Sequence, residues 1–355
     1  MAKKAGFAAK PRANDRLIDV TVIFLSDGYA STAIAPIEIF HSAGRLWSWL
    51  RGEDQRPRFQ VRTASIDGKK VKGIGAYGLI PEFSLADIKK TDIVILSATG
   101  WALERERVKH PVLLPWLRKM RARGAYVAGI CSGVGYLAEA GLLDGREATT
   151  HWGVADILRT RYPNVKWRVD QFVTEDAGVL CSGGVYAAVD LSLYLVEKFC
   201  GHEVAVQTAK SLLLSMPRSR QSGYAVSPLS TAHSDDRIKI AEEYLRQHFD
   251  RDVTIDMLAG KAAMSTRTFI RRFQAATGRL PGAYIQMLRV AAARDLLERG
   301  AASVQEVCSK VGYEDVAFFR SVFKRHTGMT PGEYRETFSG LTFERGELVG
   351  GRASA

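Results

Sequence analysis

The chain has 355 residues, 46% of them hydrophobic, and a formal charge of +12 at pH 7. That is enough for two cores of ordinary size. No window approaches the roughly 18 apolar residues of a membrane span, so a membrane-spanning helix is excluded, and the first residues hold no apolar run of a secretory leader.

The charge is unevenly placed. Residues 1–12 carry Lys3, Lys4, Lys10 and Arg12 and no acid, so residues 1–18 read as a basic arm. Residues 235–340 hold 17 Lys/Arg against 14 Asp/Glu, a small excess for a nucleic-acid binder, so local clustering must carry any such argument. The four cysteines, Cys131, Cys181, Cys200 and Cys308, show no CxxC or metal-ligand spacing. Free thiols in a reducing cytoplasm are expected, with no metal and no cofactor.

From Asp19 to about residue 213, β-branched runs of strand length alternate with helical patterns. "DVTVIFL" (19–25), "DIVILSA" (92–98) and "AYVAGI" (125–130) read as strands, and "IAPIEIFHSAG" and "VLLPWLRKMRARG" as helices. Such alternation predicts a mostly parallel sheet covered on both faces, a parallel-sheet α/β sandwich. The third strand runs into Gly129-Ile130-Cys131-Ser132-Gly133 and then a helical pattern. This is the spacing of a nucleophile elbow with sulfur in place of oxygen. A thiol beside a helix N-terminus is expected to have a lowered pKa. His151, next to Trp152, is placed to serve as a base, and Glu38 to accept a hydrogen bond from the thiol. The backbone of Ser97-Ala98-Thr99-Gly100 closes a strand, where free N–H groups would suit an anion. Ligands of such sheets bind at the C-terminal ends of the strands. The candidate ligand site is therefore Glu38, Ser97, Thr99, Gly100, Cys131, Ser132, His151 and Trp152. A cysteine after a buried strand also serves as plain packing, so nucleophile, sensor and packing all stay open.

Residues 214–234 are rich in Ser, Pro and Arg without a period and read as a linker. From Asp235 to about residue 338 every pattern is helical, and residues 339–355 read as a flexible tail. Within this all-α part the stretch "TGRLPGAY" from Thr277 returns as "TGMTPGEY" from Thr327. Phe269 and Phe273 return as Phe319 and Phe323 at the same offset. Self-similarity at a fixed offset marks one supersecondary unit used twice. Each copy reads as a short helix, a tight turn and a second helix, so the domain is expected to hold two helix-turn-helix motifs.

Ser265 is the expected cap of the first copy's second helix, and Ser303 with Glu306 and Thr330 with Glu333 fit capping boxes. Phe269 and Phe273, four apart, must face inward. Arg267 and Arg271 then project from one solvent stripe, and arginine's planar fork suits guanine edges or phosphate. Ser265, Thr266, Arg267, Thr268 and Arg271 are the expected DNA contacts of the first copy. Those of the second are Val316, Ala317, Phe318, Arg320 and Lys324, the first three unable to hydrogen-bond a base edge. The helical pattern between the motifs, 281–299, makes a rod of about 28 Å at 1.5 Å per residue. A rod of that length is able to hold two reading helices about one DNA turn apart.

The stretches "MSTRTFIRRFQAATG" and "VGYEDVAFFRSVFKRHTGMTPGEYR" resemble the AraC/XylS family DNA-binding domain over residues 235–338. The resemblance implies that Arg267 and Arg271 hold base-reading positions and that Val316, Ala317, Phe318 and Arg320 line the second reading helix. Residues 19–213, through "AGICSGVGYLAEAGLLDGREATTHW" and "VLCSGGVYAAVDLSLYLVEKF", resemble the PfpI-like superfamily with its class I glutamine-amidotransferase-like fold. Together the halves resemble GlxA-type transcriptional regulators. That resemblance implies an elbow at Cys131 with Glu38 beneath it and His151 nearby. Proteolytic members carry histidine after the elbow cysteine, where this chain has Ser132. It also implies a homodimer through the N-terminal domain, double-stranded DNA and RNA polymerase as partners, and an effector of the amino acid or amine class. The expected function is a sequence-specific DNA-binding regulator, an activator answering a small nitrogenous metabolite. The alternatives are a cysteine hydrolase or hydratase fused to a DNA-binding module, and a redox sensor at Cys131.

Overall fold

The computed structural model describes residues 16–100, 111–216, 218, 220–224, 233–300 and 302–339. The basic residues Lys3, Lys4, Lys10 and Arg12, part of the linker reading (225–232) and the tail from 340 lie outside the described residues. The chain divides into two units, Met1–Ala225 and Val226–Ala355.

Among the described residues the first unit has eleven strands: β1 (Ile18–Ile23), β2 (Phe59–Ser65), β3 (Val71–Lys72), β4 (Gly78–Leu79), β5 (Phe83–Ser84), β6 (Ile93–Leu96), β7 (Tyr126–Ile130), β8 (Glu147–Ala148), β9 (Lys166–Trp167), β10 (Val173–Asp176) and β11 (Val179–Ser182). Seven of them form one sheet in the order β10-β11-β7-β6-β1-β2-β5. All neighbours in it are parallel except β10 and β11. The helices are α1 (Ser31–Ser42), α2 (Leu46–Leu50), α3 (Leu113–Ala122), α4 (Val134–Glu139), α5 (Ala155–Arg161), α6 (Ala187–Cys200) and α7 (His202–Ser211).

Successive strand residues point to opposite faces, and here both faces are dry. Ile93 and Ile95 join Phe40, Leu191 and Leu195 in one core, while Val94 and Leu96 join Leu117, Leu137 and Leu143 in the other. Helices α1 and α6 supply the first core, and α3 and α4 the second. This explains why the central strands read as unbroken apolar runs rather than alternating ones.

The expected linker is not uniform. Its leading half belongs to the first unit. The Arg218 guanidinium makes a two-pronged ion pair with the buried Asp190, at 2.7 and 3.2 Å, and lies over the Phe172 ring at 4.2 Å. Gln221 is 2% exposed. Its amide donates to the Thr150 carbonyl at 2.8 Å, the Gln171 carbonyl at 3.1 Å and the Thr149 hydroxyl at 3.2 Å. A composition rich in Ser and Arg cannot distinguish a free tether from a strap held by specific polar pairs.

The second unit contains seven helices among the described residues and no strand: α8 (Asp236–His248), α9 (Ile255–Lys261), α10 (Thr266–Thr277), α11 (Pro281–Glu298), α12 (Val304–Lys310), α13 (Val316–Thr327) and α14 (Pro331–Phe338). The duplication is visible atom by atom. Thr277 and Thr327 each donate to the carbonyl four residues back, Phe273 and Phe323, at 2.8 Å. Gly278 and Gly328 both end their helices with a left-handed φ, 71° and 79°. Tyr284 donates to Glu242 at 3.0 Å and Tyr334 to Glu298 at 2.7 Å. Both capping boxes form as expected, and Ser265 caps α10.

The copies differ in their turns. The helices α10 and α13 are 50 residues apart, but α9 and α12 are 49 apart. The second turn therefore has one extra residue. Both turns pass through a left-handed residue, Ala263 (φ 52°) in the first and Gly312 (φ 83°) in the second. A Cβ at Gly312 would collide with the carbonyl of Asp250, so glycine is required there and not at Ala263.

The rod α11 serves two cores. Tyr284, Met287 and Leu288 pack with Phe269 and Phe273, while Val290, Ala293 and Leu297 pack with Phe319 and Phe323. At their boundary sits Arg289, whose guanidinium donates to the carbonyls of Phe249 (2.7 Å), Gly312 (2.8 Å) and Arg251 (2.9 Å). It also lies 4.9 Å from the Tyr313 ring centroid. Arg289→Ala removes three charge-assisted bonds and orphans partly buried carbonyls. The expected outcome is a loss of about 2–4 kcal/mol in the second unit, read as an earlier transition in denaturant titration of the full chain.

Candidate functional site

The strand β7 ends in a sharp elbow. Cys131 has a φ of 55°, a conformation that side-chain-bearing residues rarely adopt. A short 3-10 turn, Cys131–Gly133, then leads into α4. The flanking glycines are required by space. A Cβ at Gly129 would sit 2.9 Å from the Val134 Cα, and one at Gly133 would collide with the Ser97 carbonyl.

A cleft of about 100 Å³ opens at this elbow. Thr99, Gly100, Cys131, Ser132 and His151 line it, as the sequence suggested. Asp27, Tyr29, Val154, Ile157 and Val185 line it as well and escaped the sequence reading. They come from loops and helix starts without a motif; Asp27, at a left-handed φ of 59° after β1, gives no signal in sequence beyond its place at a strand end.

Three expected ligand residues stand elsewhere. Glu38 is exposed, on the face of α1 opposite the buried Ile39 and Phe40; the helical period that buries those two turns it to solvent. No carboxylate from α1 therefore lies beneath the cysteine. Ser97 is buried and its hydroxyl accepts from the Leu25 N–H at 3.0 Å, tying β6 to β1. Trp152 does not line the cleft but stacks on His151, ring centroids 5.1 Å apart.

The proposed anion nest at 97–100 is also corrected. Its four N–H groups are taken, by the carbonyls of Ile23 and Ser26 and the hydroxyls of Thr32 and Ser132. Ser132 also donates to the Thr99 carbonyl at 2.6 Å. The residue after the cysteine is thus a clasp between two loops.

The thiol is not activated. Cys131 is 9% exposed, and burial pushes its pKa from 9.0 up to about 11, outweighing the hydrogen bonds from Ser132. Desolvation disfavours the charged thiolate more than the short turn stabilises it. His151 offers it no base. Its Nδ1 accepts from the Gly153 N–H at 3.0 Å, so in the neutral ring Nε2 carries the proton and is a donor. Burial also pushes its pKa down, keeping the ring neutral. The residues that line the cleft thus include a neutral His151, the acidic Asp27 and the Tyr29 phenol, around a neutral thiol. That set suits binding rather than nucleophilic chemistry.

The expected DNA-contacting residues divide similarly. Arg267, Arg271, Ala317, Phe318, Arg320 and Lys324 are exposed. Val316 is not outward: it is half-buried and packs on the second core with Phe319 and Phe323. Asp315 caps α13, accepting from the N–H groups of Ala317 and Phe318. Thr266 donates to Asp256 at 2.5 Å, and Ser265 and Thr268 bond each other at 3.0 Å. These three hold the turn, leaving Arg267 and Arg271 as exposed forks without a partner among the described residues. The neighbouring Arg272 is committed to a two-pronged pair with Asp235, both bonds 2.9 Å, which also lowers the Asp235 pKa.

A thiol held at about 11 should alkylate slowly and without a neutral-pH plateau. At pH 7.5 its thiolate fraction is about 100-fold below that of a thiol titrating at 9.0. Iodoacetamide labelling read by peptide mass should therefore rise steadily with pH towards 11. A plateau below pH 8 would contradict this account of the elbow.

Comparison with known proteins completes the picture. Residues 24–198 match the DJ-1/PfpI family, and residues 258–337 match a helix-turn-helix domain. The chain is 29% identical over 279 residues to the HTH-type transcriptional regulator CdhR of Pseudomonas aeruginosa, covering 78% of this chain and 82% of that one. It is 29% identical over 222 residues to the HTH-type transcriptional regulator GlxA of Rhizobium meliloti, covering 62% and 68%. The crystal structure of an AraC family transcriptional regulator from Pseudomonas putida aligns at 24% identity and a TM-score of 0.46, over 55% of this chain and 99% of that one. The chain belongs to the AraC/XylS-type helix-turn-helix regulators that carry an N-terminal DJ-1/PfpI domain, the GlxA type.

Proposed function

We propose that this chain is a sequence-specific DNA-binding transcription regulator, an activator whose N-terminal cleft answers a small molecule of the amino acid or amine class. The observation that carries the DNA-binding half is the pair of exposed guanidinium groups, Arg267 and Arg271, on a capped helix. That helix has a twin at an offset of 50 residues, across a rod of about 27 Å. Two reading helices on such a rod suit successive major-groove segments. Lys324 and Arg320 on the twin suit phosphate.

The effector reading rests on the cleft. The Asp27 carboxylate and Tyr29 ring suit a cationic nitrogen, and the His151 Nε2 proton suits a carboxylate or carbonyl. A ligand shifts DNA affinity only as far as it binds one state of the chain better than another. The strap supplies a physical route for that difference. Thr150 donates to the Cys131 carbonyl at 3.0 Å, and its own carbonyl is held by Gln221. A ligand that moves the cleft wall at residue 151 thus pulls on the segment leading to the second unit. In this reading the chain works in the cytoplasm as a homodimer, pairing through the N-terminal unit, where Trp49 and Leu50 expose apolar surface, and it recruits RNA polymerase. The neutral thiol and donor tautomer of His151 speak against the hydrolase alternative, and the thiol's raised pKa against the redox one.

Footprinting upstream of neighbouring genes, repeated across nitrogenous metabolites, tests the reading. Affinity should fall steeply with salt, as phosphate contacts require; salt-insensitive binding, or none, would sink it. Arg267→Ala and Arg271→Ala should each cost about 1–3 kcal/mol on the specific site and far less on random DNA. Gln221→Ala should keep ligand binding, measured by calorimetry, while shrinking the ligand's effect on DNA affinity.

A further inference from the structure

Aligning the two reading helices at their 50-residue offset pairs Arg267 with Ala317, Thr268 with Phe318, Arg271 with Ser321 and Gln274 with Lys324. All of these are exposed except the half-buried Thr268. Where the first helix presents two guanidinium forks, the second presents a methyl group and a short hydroxyl. Beside them stands a large ring, Phe318, 50% exposed.

That ring is held in place. Phe319, next in sequence, fills the core and is fully buried, so Phe318 has no room to fold inward. It rests edge-on against Tyr313, centroids 5.9 Å apart. Tyr313 is itself packed on Phe319 at 5.6 Å and beneath Arg289 at 4.9 Å. The backbone N–H of Phe318 is fixed by the Asp315 cap at 3.2 Å. Among the described residues, this apolar ring at the start of a reading helix has Tyr313 as its ring contact and is otherwise half exposed.

In the major groove thymine alone presents a methyl group, and alanine and phenylalanine are side chains that meet it, whereas arginine forks meet guanine. Resting on the DNA-binding reading above, we propose that the two helices have unlike preferences. The first takes a guanine-containing half-site through Arg267 and Arg271. The second takes a thymine-containing half-site, packing C5-methyl groups against Ala317 and Phe318, about one helical turn away. Such an operator is asymmetric for each chain and gives binding a direction along the DNA.

The test is selection of duplexes from a randomised library by the full chain, followed by titration of a recovered duplex with uracil replacing thymine in the second half-site. Uracil lacks only the methyl group. Each contacted position should weaken binding about fourfold, the value of one buried methyl, about 0.8 kcal/mol. Phe318→Ala should weaken binding to the thymine duplex and lose most of the difference between thymine and uracil. Arg267→Ala should keep that difference. If selection recovers no shared sequence, the DNA-binding reading fails and this proposal with it. If sequences are recovered but uracil is neutral, or Phe318→Ala weakens both duplexes equally, this proposal is overturned while DNA binding stands. The uracil arm needs no variant, so a folding defect in Phe318→Ala cannot rescue the idea.

Discussion

The geometry of the second unit depends on one side chain. Arg289 stands where α11 passes from the first core to the second, and its three bonds reach the end of α8, the loop after it and the turn of the second motif. Without it the rod would join two small bundles only through side-chain packing and the two tyrosine–glutamate bonds, Tyr284 to Glu242 and Tyr334 to Glu298. With it, carbonyls that no helix satisfies are bound by a charged, planar donor whose directions are fixed. Glycine at 312 follows from the same constraint, because the turn passes against Asp250 too closely for a Cβ. Hydrogen bonds from Arg289 to backbone thus fix the rod against the end of α8 and the turn of the second motif.

The duplication was legible because it lies in residues whose physics is local. Phenylalanines four apart, a left-handed glycine, a proline at the first helical position and a capping box each announce themselves within one turn of helix. What the pattern hid was non-local. Arg271 and Arg272 look alike in sequence, yet one faces solvent and the other clamps Asp235 at the start of α8. Val316, by contrast, lies three and seven residues before Phe319 and Phe323 and shares their inward face, a local period that marks it as core. Arg289 itself drew no attention, because nothing nearby in sequence says which carbonyls it will meet.

The elbow shows the same division. Its backbone course, strand into turn into helix, is written in the small residues around Cys131. Its chemistry is not. Thiol acidity depends on the balance of burial and dipole, and here burial prevails. The role of Glu38 required it to face inward, and the apolar period of α1 gives the inward face to Ile39 and Phe40. The N–H groups at 97–100, free in any sequence reading, are taken by groups up to 74 residues distant in the chain. A nucleophile's scaffold thus frames a neutral thiol in a regulator, the strained backbone at Cys131 retained without the ionisation that would make the sulfur reactive.

The division of α11 between two cores has a further consequence for how the second unit comes apart. Stability need not be uniform, and contiguous motifs open as separate cooperative segments. Here each segment owns a core, and Phe249 touches both. The second core encloses Cys308, fully buried, its thiol donating to the Tyr313 carbonyl at 3.3 Å. No cysteine lies in the first core. The protein therefore carries its own chemical clock for one reading head: the Cys308 sulfur meets solvent only while that half is open, and it stays silent when the other half breathes alone.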